Sequence, residues 1–270
     1  MYKEFSFILS EPEIYREIFI ALLSELGFEG FVETDQGFLA YTDKDLDFSS
    51  KLSDYPIDYQ YNVKEIKEQN WNEAWEKQIQ ALTIDDKIYI KTSFHPHKNY
   101  PLVITIDPKM SFGTGHHETS YLMIKQMLEI DWLNKSVLDM GAGTGVLAII
   151  ARKYGAQPVY AVDNDKWAYE NMIENFEKNN TTDINAFLAD AGILKKFPLF
   201  DVVLANINRN ILLNDMNKYV KNIKTNGRLI LSGFYKEDAE MLINKAENNG
   251  MVFEKEKVKN NWMSLSFKKL

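Results

Sequence analysis

The chain has 270 residues, 45% of them hydrophobic and 26% charged, proportions that are typical of a globular protein and exclude a disordered or collagen-like one. It contains no cysteine, which excludes disulfide scaffolds, thiolate catalysis and cysteine-ligated zinc and fits a reducing cytoplasm. No segment approaches the roughly 18 apolar residues of a membrane span. The first residues lack the pattern of a signal peptide, so we expect a cytoplasmic protein with no membrane partner.

The net charge of −8 is concentrated near the start of the chain. Residues 1–60 contain 4 basic and 13 acidic residues, a formal charge of −9, and the other 210 residues carry +1. An acidic surface repels phosphate backbones and attracts basic partners, so we expect no direct binding to nucleic acid. The alternative interpretation is an acidic surface that serves only solubility.

The first 63 residues predict a small α+β domain. Residues 4–9 alternate as in a strand, residues 12–26 carry apolar side chains spaced by four as in a helix, and a hairpin follows around residues 35–37. Residues 55–63 can add another strand, which makes the domain ferredoxin-like. Because it contains no histidine, glycine-rich loop or catalytic cluster, we expect it to bind the substrate.

Residues 64–82 are polar with a helical pattern and predict a linker helix, on which Trp71 and Trp75 lie one turn apart. Strands over residues 87–94 and 100–107 follow. They lead into the stretch DPKMSFGTGHHETS, residues 107–120, whose last residues are expected to begin a helix.

Residues 83–270 predict an α/β domain, because apolar strands alternate with helices as in a mostly parallel sheet covered on both faces. The last two strands have no helix between them, so we expect one edge strand to be antiparallel. The predicted strands of this sheet cover residues 137–140, 158–163, 185–190, 201–206, 227–234, 251–258 and 262–267, and its helices cover residues 145–156, 166–179, 211–224 and 237–249.

The carboxyl ends of these strands carry the residues that suggest a ligand site, where open parallel sheets bind nucleotides. The first strand is followed by the loop Gly141–Gly145, the second ends at Asp163, the third at Asp190 and the fourth at Asn206. A carboxylate 22 residues after Gly141 can accept hydrogen bonds from a ribose diol, although a helix N-cap is the alternative role for it. Val146 stands where a dinucleotide fingerprint needs glycine, which disfavours hydride transfer with a nicotinamide.

The motifs VLDMGAGTG, AVDND and FLAD resemble those of class I methyltransferases, which use S-adenosylmethionine. The stretch DPKMSFGTGHHETS is similar to the signature of the ribosomal protein L11 methyltransferases, and NWNEAWEK, DVVLANI and LSGF match that family in order and spacing. The resemblance implies a Rossmann-like class I methyltransferase domain with a seven-stranded mostly parallel sheet, preceded by a ferredoxin-like domain that binds ribosomal protein L11. The acidic residues 1–60 suit such a basic partner.

The resemblance also implies the residues that bind S-adenosylmethionine. They are Phe112, Gly113, Thr114, Gly115, Ser120, Gly141, Gly143, Asp163, Asp190 and Asn206. Two departures from the family pattern exist: Ser120 stands where many members have threonine, and residues 76–80 lack the expected phenylalanine and proline.

Asn206 is the predicted catalytic residue, because its side-chain carbonyl can hold an amine with the lone pair directed at the methyl group. Asn206–Ile207 stands where methyltransferases of exocyclic amino groups have Asn-Pro-Pro, which favours nitrogen as the target atom. The alternative role for Asn206 is to cap the next helix. We predict no metal site, because His116 and His117 are adjacent and so point in different directions.

The sequence thus predicts a protein N-methyltransferase that transfers methyl groups to lysine ε-amines and the N-terminal α-amine of ribosomal protein L11. Two alternatives stay open. One is a methyltransferase of another amine, on an RNA base or a small molecule. The other is a non-catalytic S-adenosylmethionine-binding factor in ribosome assembly.

Overall fold

The computed structural model describes residues 2–28, 30–42, 44, 46, 48, 52, 58–66, 80–109 and 111–270. The chain divides into two compact units, residues 1–71 and 72–270. The predicted linker helix lies largely outside the described residues, as do Trp71 and Trp75. At both ends of this predicted helix the structure has strands instead. Residues 64–66 belong to a strand of the first unit, and a strand of the second unit begins at Leu82.

The first unit is ferredoxin-like, as predicted. It contains β1 (Tyr2–Leu9), α1 (Pro12–Leu26), β2 (Gly30–Thr34), β3 (Gly37–Thr42) and β4 (Tyr59–Ile66). The strand order is β2-β3-β1-β4 and all neighbours are antiparallel, so β1 and β3 occupy the centre of the sheet. Helix α1 has the predicted bounds, and its backbone turns left-handed at Gly27.

The core of the first unit is built from aromatic side chains on one face of the sheet. Phe5 and Phe7 alternate along β1 and are buried, as the period of two in a strand requires. Phe7 stacks on Phe38 of β3 with 5.0 Å between ring centroids. Phe19 of α1 is fully buried against this face, so the helix and the sheet share a single core.

The second unit has a seven-stranded sheet in the order β10-β9-β8-β11-β12-β14-β13. Its strands are β8 (Val137–Met140), β9 (Val159–Asp163), β10 (Asn185–Leu188), β11 (Phe200–Asn206), β12 (Ile223–Tyr235), β13 (Met251–Lys259) and β14 (Trp262–Lys269). The sheet is mostly parallel, as predicted, and β14 is antiparallel to both of its neighbours. This is the arrangement of class I methyltransferases.

The expectation of an antiparallel edge strand is wrong in position, because β14 lies second from the edge and β13 forms the edge. The chain reverses between them at Asn260 and Asn261, both at positive φ as in a tight hairpin turn. Helix α6 (Ala239–Glu247) connects β12 to β13, which lies two strand positions away at the edge of the sheet. The hairpin then places β14 between β12 and β13.

Four further helices cover the sheet: α2 (Glu118–Met127), α3 (Val146–Lys153), α4 (Lys166–Lys178) and α5 (Arg209–Lys221). Short 3-10 helices cover residues 191–196 and 236–238. Helices α2, α3 and α4 contribute to one buried cluster and α5 and α6 to another, which gives the three layers expected of an α/β domain. None of the described helices is both long and apolar enough to cross a membrane.

A separate three-stranded sheet precedes α2. It consists of β5 (Leu82–Ile84), β6 (Ile88–Lys91) and β7 (Leu102–Thr105), with β5 antiparallel and β7 parallel to β6. The chain passes from β7 directly into residues 107–120, which we call the signature segment. In the large sheet, strand order reverses at β8, so the carboxyl ends of β8 and β11 flank the crevice where such sheets bind ligands.

Candidate functional site

A cleft of about 890 Å³ lies at the carboxyl ends of the parallel strands. Gly141 after β8, Asp163 at the end of β9 and Asn206 at the end of β11 all line it. Its volume is within the range of about 300–1,000 Å³ found for small-molecule sites. Three of the four strand ends that the sequence singled out therefore meet in one cleft, and Asp190 lies outside its lining.

One wall of the cleft forms where the glycine-rich loop, residues 141–145, interlocks with the signature segment. Thr144 donates its backbone N–H to the Phe112 carbonyl at 2.9 Å and its hydroxyl to the Gly113 carbonyl at 2.6 Å. Gly143 has φ +55°, and a Cβ on it would lie 2.2 Å from the Phe112 carbonyl oxygen. Only glycine at position 143 allows this approach.

Asp163 is held so that its carboxylate retains hydrogen-bonding capacity. One oxygen accepts the Gly143 N–H at 2.8 Å and the other accepts the Asp165 N–H at 3.0 Å. A carboxylate has about four lone-pair sites, so two remain for hydroxyl groups of a ligand. The N-cap of α4 is Asp165, whose side chain accepts the Ala168 N–H, and the alternative role for Asp163 is therefore excluded.

Asn206 presents an unpaired buried oxygen. Its side-chain Nδ2 donates to the Ser120 hydroxyl at 3.2 Å, whereas its Oδ1 is buried and has no hydrogen-bond partner among the residues that the structure describes. The N-cap of α5 is Asn208, which accepts the Ile211 N–H at 3.1 Å, so Asn206 does not cap that helix. An unsatisfied buried carbonyl costs about 1–3 kcal/mol, which a ligand N–H in the cleft can recover.

The predicted site residues divide into two groups. Phe112, Gly141, Gly143, Asp163 and Asn206 line the cleft. The remaining five are outside its lining: Gly113, Thr114, Gly115, Ser120 and Asp190. Direct contact with a cofactor stays a prediction for all ten.

The structure gives members of the second group partners within the protein. Gly113 accepts the Thr144 hydroxyl, and Ser120 is fully buried behind Asn206. Asp190 caps the 3-10 helix that follows β10, where it accepts the Gly192 N–H at 2.7 Å. The Gly113 carbonyl and the Ser120 hydroxyl therefore support the glycine-rich loop and Asn206, whereas Asp190 is exposed and stabilises the 3-10 helix.

Several residues that line the cleft were missed by the sequence reasoning. His117 caps α2, and its ring lies 5.2 Å from Phe112 and 4.7 Å from Trp262. Trp262 also packs against Tyr235, with 4.1 Å between ring centroids and 35° between ring planes, although Tyr235 does not line the cleft. His117 was visible in the signature, but Trp262 reaches the cleft only because β14 inserts beside β12, which no local pattern indicates.

Asp139 lies under the glycine-rich loop and does not line the cleft. Burial raises its pKa to about 7, although the Ala148 N–H that it accepts at 3.1 Å opposes the shift. Its second oxygen has no hydrogen-bond partner in the described part of the chain. A buried carboxyl in this position supports the loop and α3, and it does not reach a ligand as a base.

Among the described residues, no group of three or more histidine, cysteine or acidic side chains could hold a metal ion. His116 instead lies 2.5 Å from the Gln80 carbonyl through Nε2, and His117 Nδ1 accepts the Thr119 N–H. Both histidines of the signature segment thus have partners within the protein.

Comparison with known proteins gives a consistent result. A family model described as ribosomal protein L11 methyltransferase (PrmA) matches residues 22–270. Ribosomal protein L11 methyltransferases are 41% identical in Bacteroides thetaiotaomicron, over 98% of this chain and 99% of the relative, and 42% identical in Porphyromonas gingivalis, over 93% and 90%. The crystal structure of a ribosomal protein L11 methylase from Lactobacillus delbrueckii subsp. bulgaricus superposes with a TM-score of 0.65 at 23% sequence identity. The superposition covers 71% of this chain and 100% of that structure, and it shows the same fold.

The interlock of the two loops can be tested by adding one methyl group. Gly143→Ala places a Cβ against the Phe112 carbonyl, whereas Gly250→Ala, also at positive φ, has no atom within 4 Å of its Cβ. Both variants carry backbone strain of about 1 kcal/mol, but only Gly143→Ala adds a clash with main chain. We expect thermal unfolding to show a larger loss of stability for Gly143→Ala, and equal losses would contradict the interlock.

Proposed function

This chain belongs to the family of ribosomal protein L11 methyltransferases, and from that premise we propose that it transfers methyl groups from S-adenosylmethionine to amino groups of ribosomal protein L11. The observation that carries the proposal is the unpaired buried Oδ1 of Asn206 in a cleft lined also by Asp163 and Gly141. The finer claim is that the acceptors are lysine ε-amines and the N-terminal α-amine.

The residues of the cleft fit S-adenosylmethionine. Asp163 retains lone pairs for the two ribose hydroxyls, and Gly141 and Gly143 line the same cleft. When bound, S-adenosylmethionine supplies a methyl group on a positively charged sulfur. The protein must therefore orient an amine toward that methyl group and exclude water, because the leaving group is already present.

The amine must be neutral to act as a nucleophile. A lysine with a pKa near 10.4 loses its proton at pH 7 at a cost of about 4–5 kcal/mol, and an α-amine with a pKa near 8 at about 1 kcal/mol. The proton can leave to water before the reaction, so a strong base is not required. What the site must supply is an acceptor that holds the N–H of the neutral amine while its lone pair stays free.

Asn206 is suited to that role because its two side-chain atoms have different surroundings. Nδ2 donates to the Ser120 hydroxyl at 3.2 Å, so the donor side of the amide faces Ser120. Oδ1 remains as the acceptor, and a carbonyl oxygen cannot donate a hydrogen bond to the amine lone pair. Ser120, although it replaces the threonine of many relatives, supplies the hydroxyl that this arrangement needs.

The aromatic wall supports the exclusion of water. Phe112, His117 and Trp262 line the cleft. The ring centroids of Phe112 and His117 are 5.2 Å apart, and those of His117 and Trp262 are 4.7 Å apart. Aromatic faces cover apolar surface and also attract cationic amines by about 0.5–2 kcal/mol. A lysine side chain that enters beside this wall would be desolvated along its length.

The first unit is proposed to bind ribosomal protein L11. The supporting observation is charge: residues 1–60 carry −9. On α1, Ile14 and Ile18 are exposed at a spacing of one turn, beside the exposed Glu17. Exposed apolar side chains with acidic neighbours suit a basic protein surface better than a phosphate backbone.

Varying the salt concentration tests whether charge contributes to the binding of ribosomal protein L11. We expect the KM for ribosomal protein L11 to rise severalfold between about 0.05 M and 0.5 M salt while kcat changes little, since screening shortens the range of surface charges. The KM for S-adenosylmethionine measured in the same series is the control. A salt-independent KM for the protein substrate would leave the acidic surface with a role in solubility alone.

The role of Asn206 predicts a separation of turnover from cofactor binding. With labelled S-adenosylmethionine and purified ribosomal protein L11, Asn206→Ala should lower the rate of labelling about 100-fold, because the amine loses its orientation. Binding of S-adenosylhomocysteine should stay within about threefold of wild type. Asn222→Ala is the matched control, since Asn222 is also buried but hydrogen-bonds to the Leu194 carbonyl away from the cleft.

Each alternative function has its own outcome in that experiment. Full labelling activity in Asn206→Ala would exclude the proposed role of this residue, and no labelling by wild type with intact cofactor binding would favour a non-catalytic assembly factor. With a ribosomal extract as substrate, label on RNA and none on protein would favour a different methyl acceptor. Mass spectrometry of labelled ribosomal protein L11 then tests whether lysines and the N-terminus are the modified positions.

A further inference from the structure

Three buried asparagines are spaced by four on α4 and the residue that follows it. Asn171, Asn175 and Asn179 are 2%, 0% and 5% exposed. Asparagine is a poor residue for a helix interior, and a buried amide needs partners for both its oxygen and its nitrogen. Their partners lie on β7, the signature segment and the glycine-rich loop.

Outside its own helix, the Asn179 side chain binds the end of β7. Its Oδ1 accepts the Thr105 N–H at 2.9 Å and its Nδ2 donates to the Thr105 carbonyl at 2.7 Å. A further bond from Nδ2 goes to the Asn175 backbone carbonyl. Asn179 therefore attaches strand to helix, and it contacts neither the cleft nor the glycine-rich loop.

Asn175 connects two loops. Its Oδ1 accepts the N–H of Asp107, the first residue of the signature segment, at 3.0 Å. Its Nδ2 donates to the Thr144 carbonyl in the glycine-rich loop, also at 3.0 Å. Asn171 adds a bond of 2.7 Å from its Nδ2 to the Asp107 carbonyl.

The signature segment returns to the same threonine. Thr144 donates to the carbonyls of Phe112 and Gly113, so the hydrogen bonds Asp107–Asn175, Asn175–Thr144 and Thr144–Phe112 form a ring that the chain between residues 107 and 112 closes. Asn175 thereby holds one end of residues 107–112 at Asp107, and Thr144 holds the other end at Phe112. Asn175 is the only member of this ring that comes from α4.

Asp107 is anchored on its other side as well. Its carboxylate accepts the Ser93 backbone N–H at 2.7 Å, the Ser93 hydroxyl at 2.5 Å and the Lys178 ammonium at 2.5 Å. Burial alone would raise the pKa of Asp107, but these bonds outweigh it and hold the pKa below its ordinary value. The start of the signature segment is thus held by Ser93 and Lys178 as well as by Asn175.

We propose that Asn175 is a positioning residue for S-adenosylmethionine: it does not line the cleft, but through Asp107 and Thr144 it holds Phe112 and Gly143 in the geometry that binds the cofactor. The inference rests on the proposed function, since it concerns the cofactor of that reaction. If the cleft wall adopts its binding geometry for only a fraction of the time, the apparent affinity falls by that fraction. Loss of Asn175 therefore weakens binding at a distance.

The test compares Asn175→Ala with Asn179→Ala in the full chain. Both remove a buried amide from the same face of α4, so both should lower the melting temperature by a similar amount. With S-adenosylhomocysteine as the probe in isothermal titration, we expect Asn175→Ala to raise Kd about tenfold or more, and Asn179→Ala to stay within about twofold of wild type. Hydrogen exchange of the Thr144 amide should accelerate only in Asn175→Ala.

Two results would overturn the positioning role: binding by Asn175→Ala within twofold of wild type, or equal weakening in both variants. If Asn175→Ala does not fold at the assay temperature, Asn175→Ser and Asn179→Ser carry the same comparison, because a serine hydroxyl can keep one hydrogen bond. The binding of S-adenosylhomocysteine by the wild-type chain distinguishes failure of this inference from failure of the proposed function. A wild-type chain that does not bind S-adenosylhomocysteine overturns both, whereas normal wild-type binding with indistinguishable variants overturns the positioning role alone.

Discussion

The site depends on two hydrogen bonds from Thr144 to the signature segment. They join residues that are about 30 positions apart in the chain, and they are possible because Gly143 allows the Phe112 carbonyl to approach the glycine-rich loop. Glycine in such a loop is usually explained by the approach of a ligand. Here it first permits the approach of another segment of the same protein, which then supplies part of the cleft wall.

The same segment also reaches Asn206, another residue that lines the cleft. It continues into α2, which His117 caps, and the first turn of α2 carries Ser120. The Ser120 hydroxyl accepts from Nδ2 of Asn206, whose Oδ1 has no partner among the described residues. A continuous stretch of chain thus supplies part of the cleft wall and the hydroxyl beside Asn206, so a short signature can specify much of this cleft.

Much of this was predictable from local sequence. Periodicity and the turn at Gly27 gave the bounds of α1, and the position after a parallel strand located Asp163 and Asn206. The strand order at β14 was not predictable, because it depends on which strands pair after the hairpin forms. For the same reason Trp262 could not be placed in the cleft, and the spacing of Asn175 acquires meaning only from partners 31 and 68 residues away.

A crystal structure of the protein with S-adenosylhomocysteine and a lysine-containing peptide of ribosomal protein L11 tests the role of Asn206 most directly. The account predicts that the amine nitrogen lies about 3 Å from Oδ1 of Asn206 while Nδ2 keeps its bond to Ser120. An amine bound elsewhere in the cleft, with Oδ1 paired to another group of the protein, would contradict it.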